Sequence, residues 1–573
     1  MGIILYPLFS MANLSKSTGS ILFAVWSFLL ALGWLLPNYH FPWQSFHSEM
    51  WVAVVLSLIV PFAIFKSPAR ISCDYFFVSL MVLALLPFVQ FTFGQVAFFG
   101  HAWICGIYLV GLLVAILAGR FWESYEPAGL VDKLSLAFGI GALFSVFLQL
   151  SQWLELDGFG IWLINTGVAR PSANFAQPNH LATFLLWGLL ATFWGVIRAK
   201  LSIAVASMVA LLLLFSIALT GSRTAWLAIG LIIIIVWWRH DLWASKRTSW
   251  VLTGLGLYFV FCVLALNFFN ASDRVGQLAN LPSDLRFAVW KVSLDAVMER
   301  PIFGYGWGQV AEAHISNALT HPPIHIVFAQ SHNLFLDMVL WCGLPIGLLF
   351  SFVVLRWFWR VFSRLSSPED VVLFLFLLVV ANHAMLEYPL QYAYFLLPAG
   401  LIIGTVIARD HETKSFVVIN KIHFVAAWLL SLVFLAVTWI DYLKVEHSYS
   451  LLRMESAGIN LEIDPQPPKV IALTQWTHIF KHARVVPKDG MSEAELEGMR
   501  QVVLEAYKPL DFHKLVIALE LNGRSEEAAL WLERMCSVGP ERSCVFVKAE
   551  LETLKGEVSR GCRSTSQGCA QSP

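Results

Sequence analysis

Residues 201–238 read LSIAVASMVALLLLFSIALTGSRTAWLAIGLIIIIVWW. Two apolar runs, 201–219 and 224–238, flank the short polar break Thr220-Gly221-Ser222-Arg223. Crossing a bilayer as a helix takes about 17–25 apolar residues, and within lipid a helix satisfies its own backbone polar groups. The stretch therefore predicts two membrane helices, or one helical hairpin, turning at a polar tip. Outward from it, eleven more such runs lie near 20–36, 50–65, 76–92, 97–119, 134–153, 179–197, 250–269, 333–355, 371–386, 392–408 and 422–440. Of 573 residues, 58% are hydrophobic and 13% charged, against about 25% charged in a soluble domain. A soluble enzyme, a disordered scaffold and a secreted disulfide mini-domain are excluded, and a net charge of +0 argues against a nucleic-acid partner. The expected fold is all-α: a polytopic bundle of twelve or thirteen spans among membrane lipids.

The charges orient this bundle. Alternate loops hold Lys16, then Lys66 and Arg70, then Arg120 and Lys133, then Arg198 and Lys200. The series continues with Arg239, Lys246 and Arg247, then Arg356, Arg360 and Arg364, then Arg409, Lys414 and Lys421, 16 basic residues in all. Opposing short loops hold only Arg170 and Arg223. Basic residues collect on the cytoplasmic side. An odd number of spans then sets the N-terminus inside and the tail outside. The first run lacks a small-residue cleavage site, so it reads as a retained span.

The outer side is expected to carry loops 154–178 and 271–331 and a charged helical tail. The domain division is thus 1–441, with both loops, and 442–573. Ser492 and Glu495 suit a capping box. Residues 515–532 resemble one helix–turn–helix unit of the tetratricopeptide kind, too little for an array. Cys105, Cys262 and Cys342 fall in spans and Cys73 on the reducing side, whereas Cys536, Cys544, Cys562 and Cys569 all lie in the tail. An even number in an oxidising space points to disulfide pairing, and a Cys536–Cys544 bridge across a hairpin is expected. The layout suits a Gram-negative inner membrane with the tail in the periplasm.

Ionisable groups at span mouths are costly and are functional candidates. Here they gather on the outer side: Arg170 before Gln177-Pro-Asn179-His180, Arg223 at the 220–223 tip, Arg274, Arg286 and Lys291 in the long loop, His332-Asn333 closing it, and Glu387-Tyr-Pro-Leu-Gln-Tyr392. Arginine presents a planar fork of donors matched to phosphate oxygens, and histidine can take a proton from a hydroxyl near neutral pH. Together they are parts for displacing a lipid diphosphate with an alcohol. An arginine at a span end is ordinarily a snorkelling anchor, but Arg170 and Arg223 run against the positive-inside trend. His314, His321 and His325 read as ordinary loop histidines, and Gly304-Tyr-Gly-Trp-Gly308 as a turn, since no strand precedes it. The chain has no HExxH, CxxC, DxD or Walker motif, so no metal and no cofactor are expected.

Three segments resemble a known family. Ala176-Gln-Pro-Asn-His-Leu-Ala182, Ala329-Gln-Ser-His-Asn-Leu-Phe-Leu-Asp337 running on to Gly343-Leu-Pro345, and Glu387-Tyr-Pro-Leu-Gln-Tyr-Ala-Tyr-Phe395 are similar to signatures of the bacterial O-antigen ligase and O-oligosaccharyltransferase superfamily. The last is similar to its PglL-like branch, which glycosylates pilins and other periplasmic proteins. Gly221-Ser-Arg-Thr-Ala-Trp226 and Arg286-Phe-Ala-Val-Trp290 also match the superfamily. The resemblance implies His332 as the catalytic base, Arg223 and Arg286 as ligands of undecaprenyl diphosphate, and Gln177 and Tyr388 as glycan or acceptor contacts, with Arg274 a rival to Arg286 and Tyr392 to Tyr388. From the outer polar cluster itself, Arg170 is expected to join the diphosphate ligands, and Asn179, Glu387 and Tyr392 the glycan or acceptor contacts.

The activity so implied is en bloc, metal-independent transfer of an oligosaccharide from undecaprenyl diphosphate to Ser or Thr of a periplasmic or pilin-like protein, with inversion. An O-antigen ligase or polymerase would differ in who supplies the hydroxyl. A transporter of a lipid-linked or anionic substrate would need repeat symmetry and midplane charges, and the polar cluster sits at one face instead.

Overall fold

A computed structural model describes residues 6–37, 41–66, 68–156, 158–163, 170–243, 246–269, 285–410, 415–459 and 466–559. Arg274, Lys414, Cys562 and Cys569 lie outside these. All thirteen apolar runs are helical. They form α1 (Tyr6–Leu35), α2 (Phe46–Ser57), α3 (Val60–Lys66), α4 (Tyr75–Thr92), α5 (Phe99–Tyr125), α6 (Gly129–Trp153), α7 (Pro178–Ile197), α8 (Ile203–Leu219), α9 (Arg223–Trp238) and α10 (Arg247–Phe269). After the long loop come α13 (Leu334–Ser363), α14 (Pro368–Ala384), α15 (Ala393–Arg409) and α16 (Lys421–Ser456). Eight described helical stretches are long and apolar enough to cross a membrane, α2 and α3 counting as one, and α1, α8, α9 and α15 hold shorter apolar helices. The protein is a polytopic all-α membrane protein.

The run at 50–65 is broken between α2 and α3, where Pro61 has no amide to donate back to the Ser57 carbonyl at the end of α2. At the other end of the sequence, α16 overshoots the predicted 422–440. Its apolar run gives way to an amphipathic one without a break, so the helix passes unbroken through the expected boundary at 441/442. Asp441, buried on α16, accepts the backbone N–H groups of Ile471, Ala472 and Leu473 at 2.6–3.2 Å, tying the next segment to the rod.

One end of the bundle holds the predicted cytoplasmic charges, largely paired. Arg409 bonds Asp370 and Glu123, Arg360 bonds Asp74, Arg364 bonds Asp410, and Lys200 bonds Asp132. A two-stranded antiparallel sheet, β1 (Arg70–Cys73) with β2 (Val417–Asn420), joins two connections there.

At the opposite end, the long loop holds α11 (Leu285–Glu299) and α12 (Val310–Ser316), and the tail holds α17 (Thr474–Arg484), α18 (Glu493–Ala506), α19 (Pro509–Leu521), α20 (Ser525–Val538) and α21 (Glu541–Ser559). The Ser492/Glu495 capping box opens α18, and Cys536 and Cys544 are disulfide-bonded across the α20–α21 turn. The loop does not stand apart from the tail. Ile315 and Ala318 are buried in the tail's own apolar core, and the Ile324 and His325 amides donate to the Ser537 carbonyl.

Candidate active site

His332 sits in a tightly determined turn at the start of α13. Its φ of 60° is the left-handed region, uncommon for a residue with a Cβ and found where the surroundings enforce it. The enforcement comes from both neighbours. The Ser331 amide donates to Asp337 Oδ1 at 2.7 Å and its carbonyl accepts from Trp290 Nε1 at 2.9 Å. Asn333 caps α13 by accepting from the Leu336 amide and donates to the Met385 carbonyl.

So held, the His332 ring places Nδ1 2.9 Å from Glu387 Oε2. Glu387, 6% exposed, comes from the turn between α14 and α15. Its Oε1 accepts from Arg286 Nη2 and from Asn179 Nδ2, the latter at 3.2 Å. Asn179 Oδ1 in turn accepts from Arg170 at 3.4 Å, and Arg170 Nε donates to the Thr220 carbonyl at 2.8 Å. One hydrogen-bonded chain thus joins His332, Glu387, Arg286, Asn179 and Arg170 to the 220–223 tip. Burial would raise the Glu387 carboxyl, but the hydrogen bond and charge of His332 and the charge of Arg286 outweigh it and hold it below its ordinary value. With a carboxylate on Nδ1, that nitrogen holds a proton, and Nε2 is the ring nitrogen left to exchange one.

The expected contacts divide. Glu387 and Asn179 spend their side chains inside the chain of bonds, and Gln177 accepts from the His180 amide as the N-cap of α7. Tyr388 and Tyr392 stack with centroids 6.1 Å apart, and Tyr388 meets the His332 ring edge-on at 5.3 Å. Burial raises the Tyr388 phenol above its ordinary value. Arg223 is exposed at the first position of α9 and bonds none of the described residues, while Arg286 lies in the first turn of α11. Among the described residues, no group of three or more His, Cys, Asp or Glu is placed to hold a metal ion.

Sequence reasoning missed Glu49. Buried on α2, it accepts from Tyr108, Ser45 and Trp43 side chains and from the Ala393 amide at 2.7 Å. It thereby anchors the end of the turn that carries Glu387. A lone carboxylate at a span mouth was the signal available.

A cavity of about 1780 Å³, well above the roughly 300–1,000 Å³ of common ligand pockets, reaches this site at Glu387, Tyr388 and Tyr392, with the His332 and Arg286 side chains behind its lining. Toward the membrane it is hydrocarbon: Leu227, Leu231 and Ile235 of α9 face Val354 and Phe358 of α13, with Leu377 of α14 between. The two walls close at the far end, where Trp238 meets Phe362 and Arg239 donates to the Phe362 and Leu365 carbonyls. The other way the cavity runs beneath the tail.

Comparison with known proteins follows the same residues. Family models match as an O-antigen ligase over 208–351, a protein glycosylation ligase over 171–194, and the C-terminal part of a virulence factor membrane-bound polymerase over 371–549. Acinetobacter baylyi has a general O-oligosaccharyltransferase 31% identical over 87% of this chain and 89% of its own. Its ComP-specific O-oligosaccharyltransferase is 26% identical over 67% of this chain and 70% of its own. With that identity along nearly the whole length, the chain belongs to the O-oligosaccharyltransferases of the O-antigen ligase superfamily.

Proposed function

We propose that the protein moves an oligosaccharide en bloc from undecaprenyl diphosphate to a Ser or Thr hydroxyl of a periplasmic, pilin-like protein. The Glu387 carboxylate shared between His332 and Arg286 carries this reading. It orients His332 so that Nε2 takes the acceptor proton, and it holds Arg286 where the leaving group gathers charge. The hydroxyl oxygen bonds to the anomeric carbon from the face opposite the diphosphate. The carbon–oxygen bond to the diphosphate breaks, its electron pair leaves on undecaprenyl diphosphate, and the centre inverts. Arg286 and Arg223 each begin a helix, where the dipole adds to the attraction for phosphate, and Arg170 buttresses the tip. The hydrocarbon arm between α9 and α13 suits the polyprenyl chain. All thirteen apolar runs cross the membrane in this reading, with the N-terminus cytoplasmic and a tetratricopeptide-like tail in the periplasm of a bacterial inner membrane.

The test is the intact mass of a pilin co-expressed with this protein and a lipid-linked glycan pathway, in a host without its own ligases. A glycan-sized increase is expected, lost in His332→Ala at unchanged expression. Glycan on lipid A core instead would make the acceptor a lipid and overturn the protein-acceptor reading.

A further inference from the structure

The cavity has a second arm whose walls differ in kind from the first. On the membrane side they are Trp43 and Tyr108, and on the tail side Tyr449, Trp476 and Tyr507. Trp43 and Tyr108 are stacked at 6.5 Å, and Lys508 lies 6.0 Å from the Tyr449 ring. None of the five rings is fully buried. Amide side chains, Gln44, Gln309 and Gln391, line the same cavity. So do Glu387 and Tyr388, which connects this arm with the His332–Glu387–Arg286 chain.

We infer that this arm is the glycan subsite, and that the tail selects the donor by gripping its sugars. The inference rests on the function proposed above. A lipid-linked glycan has three parts in fixed order: hydrocarbon, diphosphate, sugars. With the diphosphate at Arg286 and the hydrocarbon between α9 and α13, the sugars must leave by the other arm. The lining fits them. Pyranose rings offer apolar C–H faces and a rim of hydroxyls, and amphipathic aromatic faces with a few placed amides recognise that combination. A peptide would instead need backbone partners, and no strand lies along this arm among the described residues. Tyr449, Trp476 and Tyr507 would then meet sugars remote from the reducing end.

The experiment uses the full-length enzyme in nanodiscs, a purified pilin acceptor, and undecaprenyl diphosphate bearing either one sugar or an oligosaccharide. In Trp476→Ala and Tyr449→Ala, the ratio of kcat/KM for the oligosaccharide donor over the single-sugar donor should fall about five- to tenfold, the scale of one lost stacking contact. Trp476→Phe should restore most of it. Equal losses with both donors would make the rings merely structural and overturn the inference. A raised KM for pilin with an unchanged donor ratio would give the arm to the acceptor and overturn it too. A wild type that transfers from neither donor would sink the function itself, a distinct failure.

Discussion

Glu387 has two oxygens and three partners, which makes its charge the quantity to alter. Glu387→Gln keeps the size but presents an amide to His332 and loses the attraction for Arg286. Turnover should fall roughly 10²–10⁴-fold, the span attributed to a positioned base, while acceptor KM stays close to wild type. A change in acceptor KM alone would return Glu387 to the acceptor contact implied by its motif. The pH behaviour has a definite sign. A carboxyl lowered from 4.5 contributes stability that is present above the unfolded value and is lost as pH falls through the folded one. The gap in unfolding free energy between wild type and Glu387→Gln should therefore be flat above pH 4.5 and narrow below it, as denaturant titration in detergent would measure. Sequence could single out His332, Arg286 and Glu387 because polar residues at a span mouth are costly. It could not join them: 101 residues separate Arg286 from Glu387 and 208 separate Asn179 from Glu387. Only the packing of α7, α11 and the start of α13 around the α14–α15 turn makes one carboxylate common to Asn179, Arg286 and His332.

Among the elements, α13 is the one the site depends on. The turn that leads into it holds His332, and within the helix Gly343 leaves the helical conformation with φ 75° and ψ 171°. A Cβ there would collide with the Ile302 carbonyl, and one at Gly304 with the Leu340 carbonyl. The Gly304–Gly308 turn, read correctly as a turn, is thus docked into the break, where Tyr305 and Gly306 donate to the Leu340 and Trp341 carbonyls that the kink frees. Gly343→Ala should cost about 1–3 kcal/mol, the scale of a forced backbone conformation, read as a lower melting temperature with loss of transfer. Gly139→Ala, where a Cβ meets nothing, is the control. The existence of each helix was legible because lipid permits nothing else for long apolar runs. Their ends were less so. The break inside α13 was not read from the sequence: it falls at Gly343, two residues before Pro345, where glycine takes a positive φ at no steric cost.

Taken whole, the molecule closes its cavity by docking the tail, and one contact in that closure joins three parts of the chain. His101 on α5 meets Glu505 Oε1 through Nδ1 at 3.0 Å and the Trp307 carbonyl through Nε2 at 2.9 Å. Both ring nitrogens face acceptors, so the imidazole carries two protons and clamps membrane helix, outer loop and tail together. Burial works against the Glu505 charge, yet His101 holds its carboxyl below the ordinary value. Glu505→Gln should raise deuterium uptake across 493–506 while leaving the α5–α7 amides protected. Unchanged uptake in α18 would show that apolar packing alone holds the tail. Neither partner was legible in sequence, for 404 residues lie between them, and each looked like an unremarkable charge beside an apolar run.

The unbroken helix α16 gives the closed molecule one more property. Its 36 residues, at 1.5 Å each, make a rod of about 54 Å, whereas the hydrocarbon layer is about 30 Å thick. Roughly 20 Å or more of it therefore projects beyond the lipid, a mast without a joint. Asp441 fastens the segment that follows to this mast, so on the proposed function the mast sets the height of the roof over the reaction chamber. A serine on a protruding loop or a loose end would then reach the chamber floor more readily than one flush with the face of a folded protein. The selection of targets then becomes in part a matter of reach, and lengthening the mast by one helical turn would change which proteins qualify.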